Sequence, residues 1–124
     1  MKDSRGMGID LMAIDIQRAR DHGVPPYHSF ITMCTNSRYE INTWLDLSTF
    51  FPPNILSLLA KIYDHPRDVD LFVGILFETR SSDQLVGQIG RCILAEQFRR
   101  FKFGDRFFYQ WIDGPNPFTH REFP

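Results

Sequence analysis

Glycine and proline divide this chain into short segments, and most of these segments have the apolar spacing of a helix. Met12, Ile16 and Ala19 recur at i, i+4 and i+7, which predicts a helix over residues 9–22. Gly23 and the two prolines after Val24 then end it, because glycine adopts a left-handed cap and proline cannot continue a helix. The same reasoning predicts further helices over residues 27–34, over residues 54–63 and from Pro66 onward.

The longest periodic run covers residues 82–103, where apolar side chains occupy two adjacent stripes of one helix. One stripe passes through Ile89, and the next passes through Phe98 and Phe101. A helix that is apolar over so wide an arc usually lies deep in a larger protein. A strand is conceivable only in the aromatic segment 107–111, so the predicted fold class is mainly α.

Composition is typical of a folded globular chain and excludes several classes of function. Hydrophobic residues make up 43% of the 124 residues, and the 12 phenylalanines require a large core or a large packing surface. The 14 basic and 15 acidic residues give a net charge of -1, which argues against a general nucleic-acid binder. No apolar stretch approaches the ~20 residues needed to cross a bilayer, and residues 1–10 contain no signal-peptide core.

Both ends of the chain are expected to be cut from a longer domain. The chain begins with a polar stub, MKDSRGMG, that runs at once into a strong helix. It stops at HREFP, where a new polar segment starts. We therefore expect residues 1–124 to be a partial domain that is truncated at both ends.

The first predicted helix carries the residues most suggestive of chemistry. Asp15, Arg18 and His22 share one face at i, i+3 and i+7 on a helix that we expect to be buried, and buried charges need partners. One interpretation is an internal salt bridge, between Asp15 and Arg18 or between Arg20 and Asp21. The other is that Arg18 pairs with an anionic ligand while Asp15 accepts a hydrogen bond from another functional group.

Histidine and cysteine spacing indicates neither a metal site nor a known catalytic motif. His22 stands at a helix C-terminus, where it is expected to cap the helix dipole. His28, His65 and His120 have no ligand spacing to it or to each other. No nucleophile elbow, phosphate loop or dinucleotide fingerprint is present. The two cysteines allow one disulfide or none, and composition does not decide between these.

Three sequence blocks resemble signatures of the animal haem peroxidases, the family that contains myeloperoxidase, thyroid peroxidase and peroxidasin. The segment DLMAIDIQRARDHGVPPY is similar to the family pattern DLxAxNxQRxRDHGLPxY. Downstream, VDLFVGILFE resembles IDxWxGGxxE, and RCILAEQFRRFKFGDRFFYQ resembles ACIIGxQFxxLRxGDRFWxE. The blocks occur in the family's order, at nearly its spacing, and cover about residues 8–112.

The resemblance implies the C-terminal portion of the α-helical peroxidase–cyclooxygenase fold and gives roles to particular residues. Asp15 stands where the family has an asparagine that hydrogen-bonds the proximal haem-ligating histidine, so here a full charge would accept the imidazole N–H. Arg18 stands where the family's arginine pairs with a haem propionate. His22 belongs to the RDHG motif but is not the family's iron ligand. The family also joins the positions of Cys34 and Cys92 by a disulfide, which implies a secreted or lumenal parent protein.

The resemblance also implies what this segment does not contain. The family's distal His and Arg, its proximal His, its haem-ester carboxylates and its calcium loop all lie upstream of the matched blocks. No catalytic residue and no metal ligand is therefore assigned to this chain. Haem is the expected cofactor of the parent protein, with calcium as a further candidate, and the rest of the peroxidase domain is the expected partner.

The expected function is that of a haem-dependent peroxidase, which couples hydrogen peroxide reduction to oxidation of a small donor, as in the response to oxidative stress. This segment would supply the contacts to the proximal histidine and to the haem propionate. Two other interpretations stay open, namely a catalytically inactive peroxidase-like structural or adhesion module and a stand-alone small helical binding protein. A stand-alone domain would expose little apolar surface, whereas a segment without its partners would expose much.

Overall fold

The regular structure of this chain is helical. A computed structural model describes residues 8–111, 114–115 and 121–122, and no β-strand occurs among them. The predicted mainly α fold class is confirmed, and none of the described helices is long and apolar enough to span a membrane. The α-helices are α1 (Leu11–Asp21), α2 (Tyr27–Cys34), α3 (Pro53–Ile62), α4 (Leu71–Phe77) and α5 (Gln88–Gly104), and the 3-10 helices are Trp44–Thr49 and Pro66–Asp68.

Helix α1 begins and ends at residues suited to capping. The Asp10 carboxylate accepts a hydrogen bond from the Ala13 N–H at 3.2 Å and so caps the N-terminus. At the other end Gly23 has a φ of +66°, a left-handed conformation that glycine adopts without steric cost. The predicted helix over residues 9–22 is therefore confirmed to within two residues.

The chain after Pro66 departs from the predicted single helix. It forms a short 3-10 helix, which His65 caps by accepting the Arg67 N–H through Nδ1 at 3.1 Å. The chain then leaves the helical path, because the Val69 carbonyl accepts a hydrogen bond from the Tyr27 N–H at 2.9 Å. This tertiary bond separates the 3-10 helix from α4.

Helix α5 begins later than the apolar periodicity predicts, at Gln88 rather than near residue 82. The cause is a buried carboxylate from an earlier part of the chain. Glu78 accepts hydrogen bonds from the Ile89 N–H at 2.8 Å and from the Gly90 N–H at 3.1 Å. Because the first N–H groups of a helix have no partner within it, this contact determines where α5 starts.

The chain divides into two compact units, one up to Gly90 and one from Arg91 onward. None of the described residues in the second unit is buried, and its aromatic segment forms turns rather than a strand. The apolar core of the first unit consists of Tyr27, Ile31, Ile41, Leu47, Phe50, Phe51, Leu59, Val69 and Ile89.

Two helices present apolar side chains that nothing in the described chain covers. Helix α1 contains no buried residue, so the expectation that its functional face is buried is wrong within this chain. Leu11 and Met12 are each more than half exposed. On α5, Phe98 is 66% exposed and packs edge to face against the half-exposed Phe101, with ring centroids 6.0 Å apart. Helix α5 therefore does have a wide apolar face, and the described residues leave much of that face exposed.

Candidate functional site

Asp15 and Arg18 lie on the same side of α1 and have no partner among the described side chains. Three residues along a helix correspond to a rotation of 300°, so the two side chains are about 60° apart around the axis. Asp15 is half-buried and Arg18 is exposed. Neither side chain forms an ion pair or a hydrogen bond within the described part of the chain. The predicted alternative of a salt bridge between them is therefore not formed.

The neighbouring arginine, Arg20, does form an ion pair, with an aspartate far along the chain. Its Nε and Nη2 atoms donate to the two carboxylate oxygens of Asp70 at 2.8 and 2.6 Å. The Tyr63 hydroxyl donates to the same carboxylate at 2.7 Å. The predicted alternative of an Arg20–Asp21 pair is wrong, because the bidentate geometry with Asp70 uses the whole edge of the guanidinium.

The pKa shifts of Asp70 and Tyr63 agree with these hydrogen bonds. The hydrogen bond from Arg20 holds the pKa of the Asp70 carboxyl below its usual value. Burial and the hydrogen bond to Asp70 raise the pKa of Tyr63 to about 12, so this phenol keeps its proton and goes on donating. We call these three residues the Arg20–Asp70–Tyr63 cluster.

A second polar cluster lies inside the first unit. The Tyr27 hydroxyl, on a side chain with no exposed surface, donates to the Glu78 carboxylate at 2.7 Å. Burial raises the pKa of Tyr27 well above its usual value, so the phenol remains a donor. Gly74 allows this arrangement, because a Cβ atom at that position would overlap the Tyr27 ring. The cluster joins α2 and α4 to the start of α5.

The histidines within the described residues have structural contacts. The His22 Nδ1 lies 2.8 Å from the Arg18 carbonyl and donates to it at the end of α1, which is the predicted capping role. His28 Nδ1 lies 3.0 Å from the Arg67 carbonyl, and His65 caps the 3-10 helix. Across the described part of the chain, no group of three or more His, Cys, Asp or Glu side chains could hold a metal ion. His120 lies outside the described residues.

Both cysteines are disulfide-bonded, and the chain contains no others. The presence of a disulfide, which the family resemblance implied, is confirmed.

Asp15, Arg18 and the residues of the two polar clusters thus fall into two groups. Residue spacing on α1 indicated the group without partners, Asp15 and Arg18. It missed the group that ties helices together, because pairing between residues some 50 positions apart is not encoded in local spacing. The available signal was that buried carboxylates need partners. The members of the missed group are Arg20, Tyr27, Tyr63, Asp70 and Glu78.

Comparisons with known proteins agree with these blocks. The sequence model described as "Animal haem peroxidase" matches residues 1–124. The chain is 36% identical over 123 residues to "Heme peroxidase 2" of Caenorhabditis elegans, covering 98% of this chain and 17% of that protein. It is 42% identical over 114 residues to a "Peroxidase-like protein" of Margaritifera margaritifera, covering 89% of this chain and 14% of that protein.

A solved structure is similar as well. Peroxidase A from Dictyostelium discoideum matches with a TM-score of 0.70 and 37% sequence identity. The match covers 88% of this chain and 20% of that one. The chain therefore spans about a fifth or less of each of these three proteins.

Proposed function

Since this chain belongs to the animal haem peroxidase family, we propose that it is the segment of a haem peroxidase that contacts the proximal side of the haem. The whole protein would reduce hydrogen peroxide and oxidise a small halide or organic donor, as in a response to oxidative stress. Bound haem would supply the redox chemistry. The distal histidine and arginine and the iron-ligating histidine would come from outside this segment.

The observation that carries the proposal is the pair of unpartnered charges on α1. Asp10 and Arg20, on the same segment, are both used within the chain, as a cap and as an ion-pair partner. Asp15 and Arg18 are not used, although they stand only one turn apart. Unused charges of opposite sign on one face fit a ligand that offers both a donor N–H and a carboxylate.

Each residue has a distinct role in this proposal. Asp15 accepts the N–H of the proximal imidazole, and its full charge increases the electron density that the imidazole donates to iron. Arg18 pairs with a haem propionate, because its planar guanidinium offers two parallel donors to a carboxylate. Both residues bind and orient, and neither transfers a proton to peroxide.

The rest of the peroxidase domain is the proposed partner of the exposed apolar surfaces. The side chains of Leu11 and Met12 on α1 and of Phe98 and Phe101 on α5 are at least half exposed. Patches of this kind mark surfaces that a partner covers. The disulfide supports a secreted or lumenal location for the whole protein, since disulfides persist in oxidising compartments.

Substitutions in the complete haem-loaded protein test both roles. Asp15→Ala is expected to shift the haem reduction potential upward, because the imidazole loses a charged acceptor, and Asp15→Asn is expected to shift it less. The control is Asp21→Ala, which removes an exposed carboxylate near the end of the same helix. An Asp15→Ala protein whose potential equals that of the native protein would contradict the role.

Arg18→Ala is expected to weaken haem retention by about 10- to 100-fold in affinity, which is typical for loss of an outer contact to a metal site. Haem occupancy after gel filtration measures it, with Arg38→Ala as the matched change at another exposed arginine. If haem occupancy is identical in both variants, the propionate role is wrong. If the complete protein holds no haem at all, the inactive structural module becomes the better interpretation.

A further inference from the structure

We propose that the Arg20–Asp70–Tyr63 cluster is a rotational anchor for α1, which aims Asp15 and Arg18 at the cofactor. Arg20, Asp70 and Tyr63 are then positioning residues, because they act through the two residues that contact the ligand. The inference rests on the proposed function, since it concerns the same site.

The first observation is that apolar packing holds α1 only in part within this chain, since Ile14, Ile16 and Ala19 are half-buried and none is fully buried. It has no buried residue, and its apolar side chains Leu11 and Met12 are more than half exposed. A helix is usually held in rotation by an apolar stripe packed on a core. Here the Arg20 side chain links α1 to a distant part of the described chain, through two hydrogen bonds to the Asp70 carboxylate.

The second observation is the angular relation between the anchor and the site. At 100° per residue, Arg20 lies about 160° from Arg18 and about 140° from Asp15 around the α1 axis. Asp15 and Arg18 are only about 60° apart. Holding Arg20 against Asp70 therefore turns the Asp15–Arg18 face to the opposite side of the helix, away from α4.

The third observation is that the anchor point is itself buried and hydrogen-bonded from two elements. Asp70 immediately precedes α4, and its side chain is only 10% exposed. Tyr63, at the end of α3, donates to the Oδ2 atom that also accepts from Arg20 Nη2. The carboxylate is thus held from two elements, and the planar guanidinium transmits that orientation, which a single ammonium group could not.

The test measures coupling between the anchor and the site in the complete haem-loaded protein. Arg20→Lys keeps the charge but loses the bidentate geometry, and it is expected to raise the haem dissociation rate on the order of tenfold. The decisive measurement is a double-mutant cycle. In the Asp70→Asn background, Asp15→Ala is expected to shift the reduction potential by much less than it does in the native protein. Arg18→Ala is likewise expected to cost much less haem affinity there.

A matched control separates an effect on the orientation of Asp15 and Arg18 from a general loss of stability. Glu78→Gln disrupts the buried cluster at the other end of α4, so it should lower the unfolding temperature while leaving the full Asp15→Ala shift in place. Tyr63→Phe removes one hydrogen bond from the anchor and serves as the milder variant if Asp70→Asn does not fold. It is expected to reduce the Asp15→Ala shift in part.

The outcomes distinguish the anchor from the function on which it rests. If Asp15→Ala and Arg18→Ala change haem properties equally in the native, anchor-variant and Glu78→Gln backgrounds, the anchor is overturned and the proposed function stands. If neither substitution has an effect even in the native background, the proposed function fails, and the anchor fails with it. Reduced effects in the anchor variants alone support the inference.

Discussion

The absence of a side chain at Gly74 allows a close contact between α4 and the Tyr27 ring. The Tyr27 ring occupies the space where a Cβ atom at position 74 would stand. The ring cannot easily move away, because it is fully buried and packs against Phe51 with centroids 5.3 Å apart. Its position brings the hydroxyl within 2.7 Å of Glu78. The glycine thus allows the Tyr27 hydroxyl to reach the buried Glu78 carboxylate.

We expect Gly74→Ala to destabilise the complete protein by about 1–3 kcal/mol or more, because overpacking forces either the ring or the α4 backbone to shift. Gly104→Ala is the matched control, since a Cβ atom at that helical position meets nothing within 4 Å. Denaturant unfolding measures the free energy of unfolding of both variants. Equal stability of the two variants would show that the Tyr27 ring can relax at no cost.

At the scale of elements, carboxylates organise the ends of helices. Asp70 stands before α4 and receives donors from α1 and from the end of α3. Glu78 stands directly after α4 and receives donors from α2 and from the first turn of α5. The short helix α4 therefore has a charged connection at each end, and these two connections join it to α1, α2, the end of α3 and the first turn of α5.

The free energy of unfolding should depend on pH through the titration of Asp70. Its pKa is lowered in the folded protein, so the folded state binds the proton less readily than the unfolded chain does. The resulting stabilisation is fully present above the ordinary carboxyl pKa of about 4. It is lost as the pH falls through the lower folded value.

We therefore expect Asp70→Asn to lower stability at pH 7 by about 1–3 kcal/mol, at the lower end if solvent screens the exposed Arg20 side chain. The difference from the native protein should shrink as the pH is lowered from about 5 to about 2. Unfolding free energies across that range measure it, with Asp64→Asn as the control at an exposed carboxylate. A difference that stays constant with pH would mean that Asp70 does not titrate as an ion-pair partner.

At the scale of the whole molecule, the distribution of apolar surface distinguishes a segment from a stand-alone domain. The first unit buries nine apolar side chains, yet 17 large hydrophobic residues are exposed along the described chain. Scattered exposed residues are ordinary, whereas neighbouring ones on one helix indicate a surface that a partner covers. Phe98 and Phe101 on α5 are neighbours of this kind. This is the pattern that our proposal, a segment covered by the rest of a peroxidase domain, predicts.

We expect the 124-residue chain, when produced alone, to bind a hydrophobic fluorescent dye, because its exposed aromatic surface lacks a cover. Replacing both Phe98 and Phe101 with serine should reduce the dye fluorescence substantially. Leu85→Ser is the control, since Leu85 is 91% exposed but lies in the segment between α4 and α5 rather than on a helix. Dye binding that is absent from the native chain would favour the stand-alone helical protein instead.

Helix positions and family membership could be predicted because they depend on local and linear information. The cap at Asp10, the left-handed Gly23 and the apolar spacing all act within a few residues, and the signature blocks are read directly from the chain. The late start of α5 could not be predicted, because the carboxylate that caps it comes from Glu78.

The amino-acid sequence by itself determined that α1 would carry two arginines two residues apart. Only the tertiary structure decided which of them is used inside the chain. Arg20 meets Asp70 because the chain between α1 and α4 folds back over 50 residues, and Arg18 is left on the opposite side of the helix with Asp15. The physical reason is that helical geometry sets the angle between side chains, whereas the partner that each one meets depends on how distant elements pack.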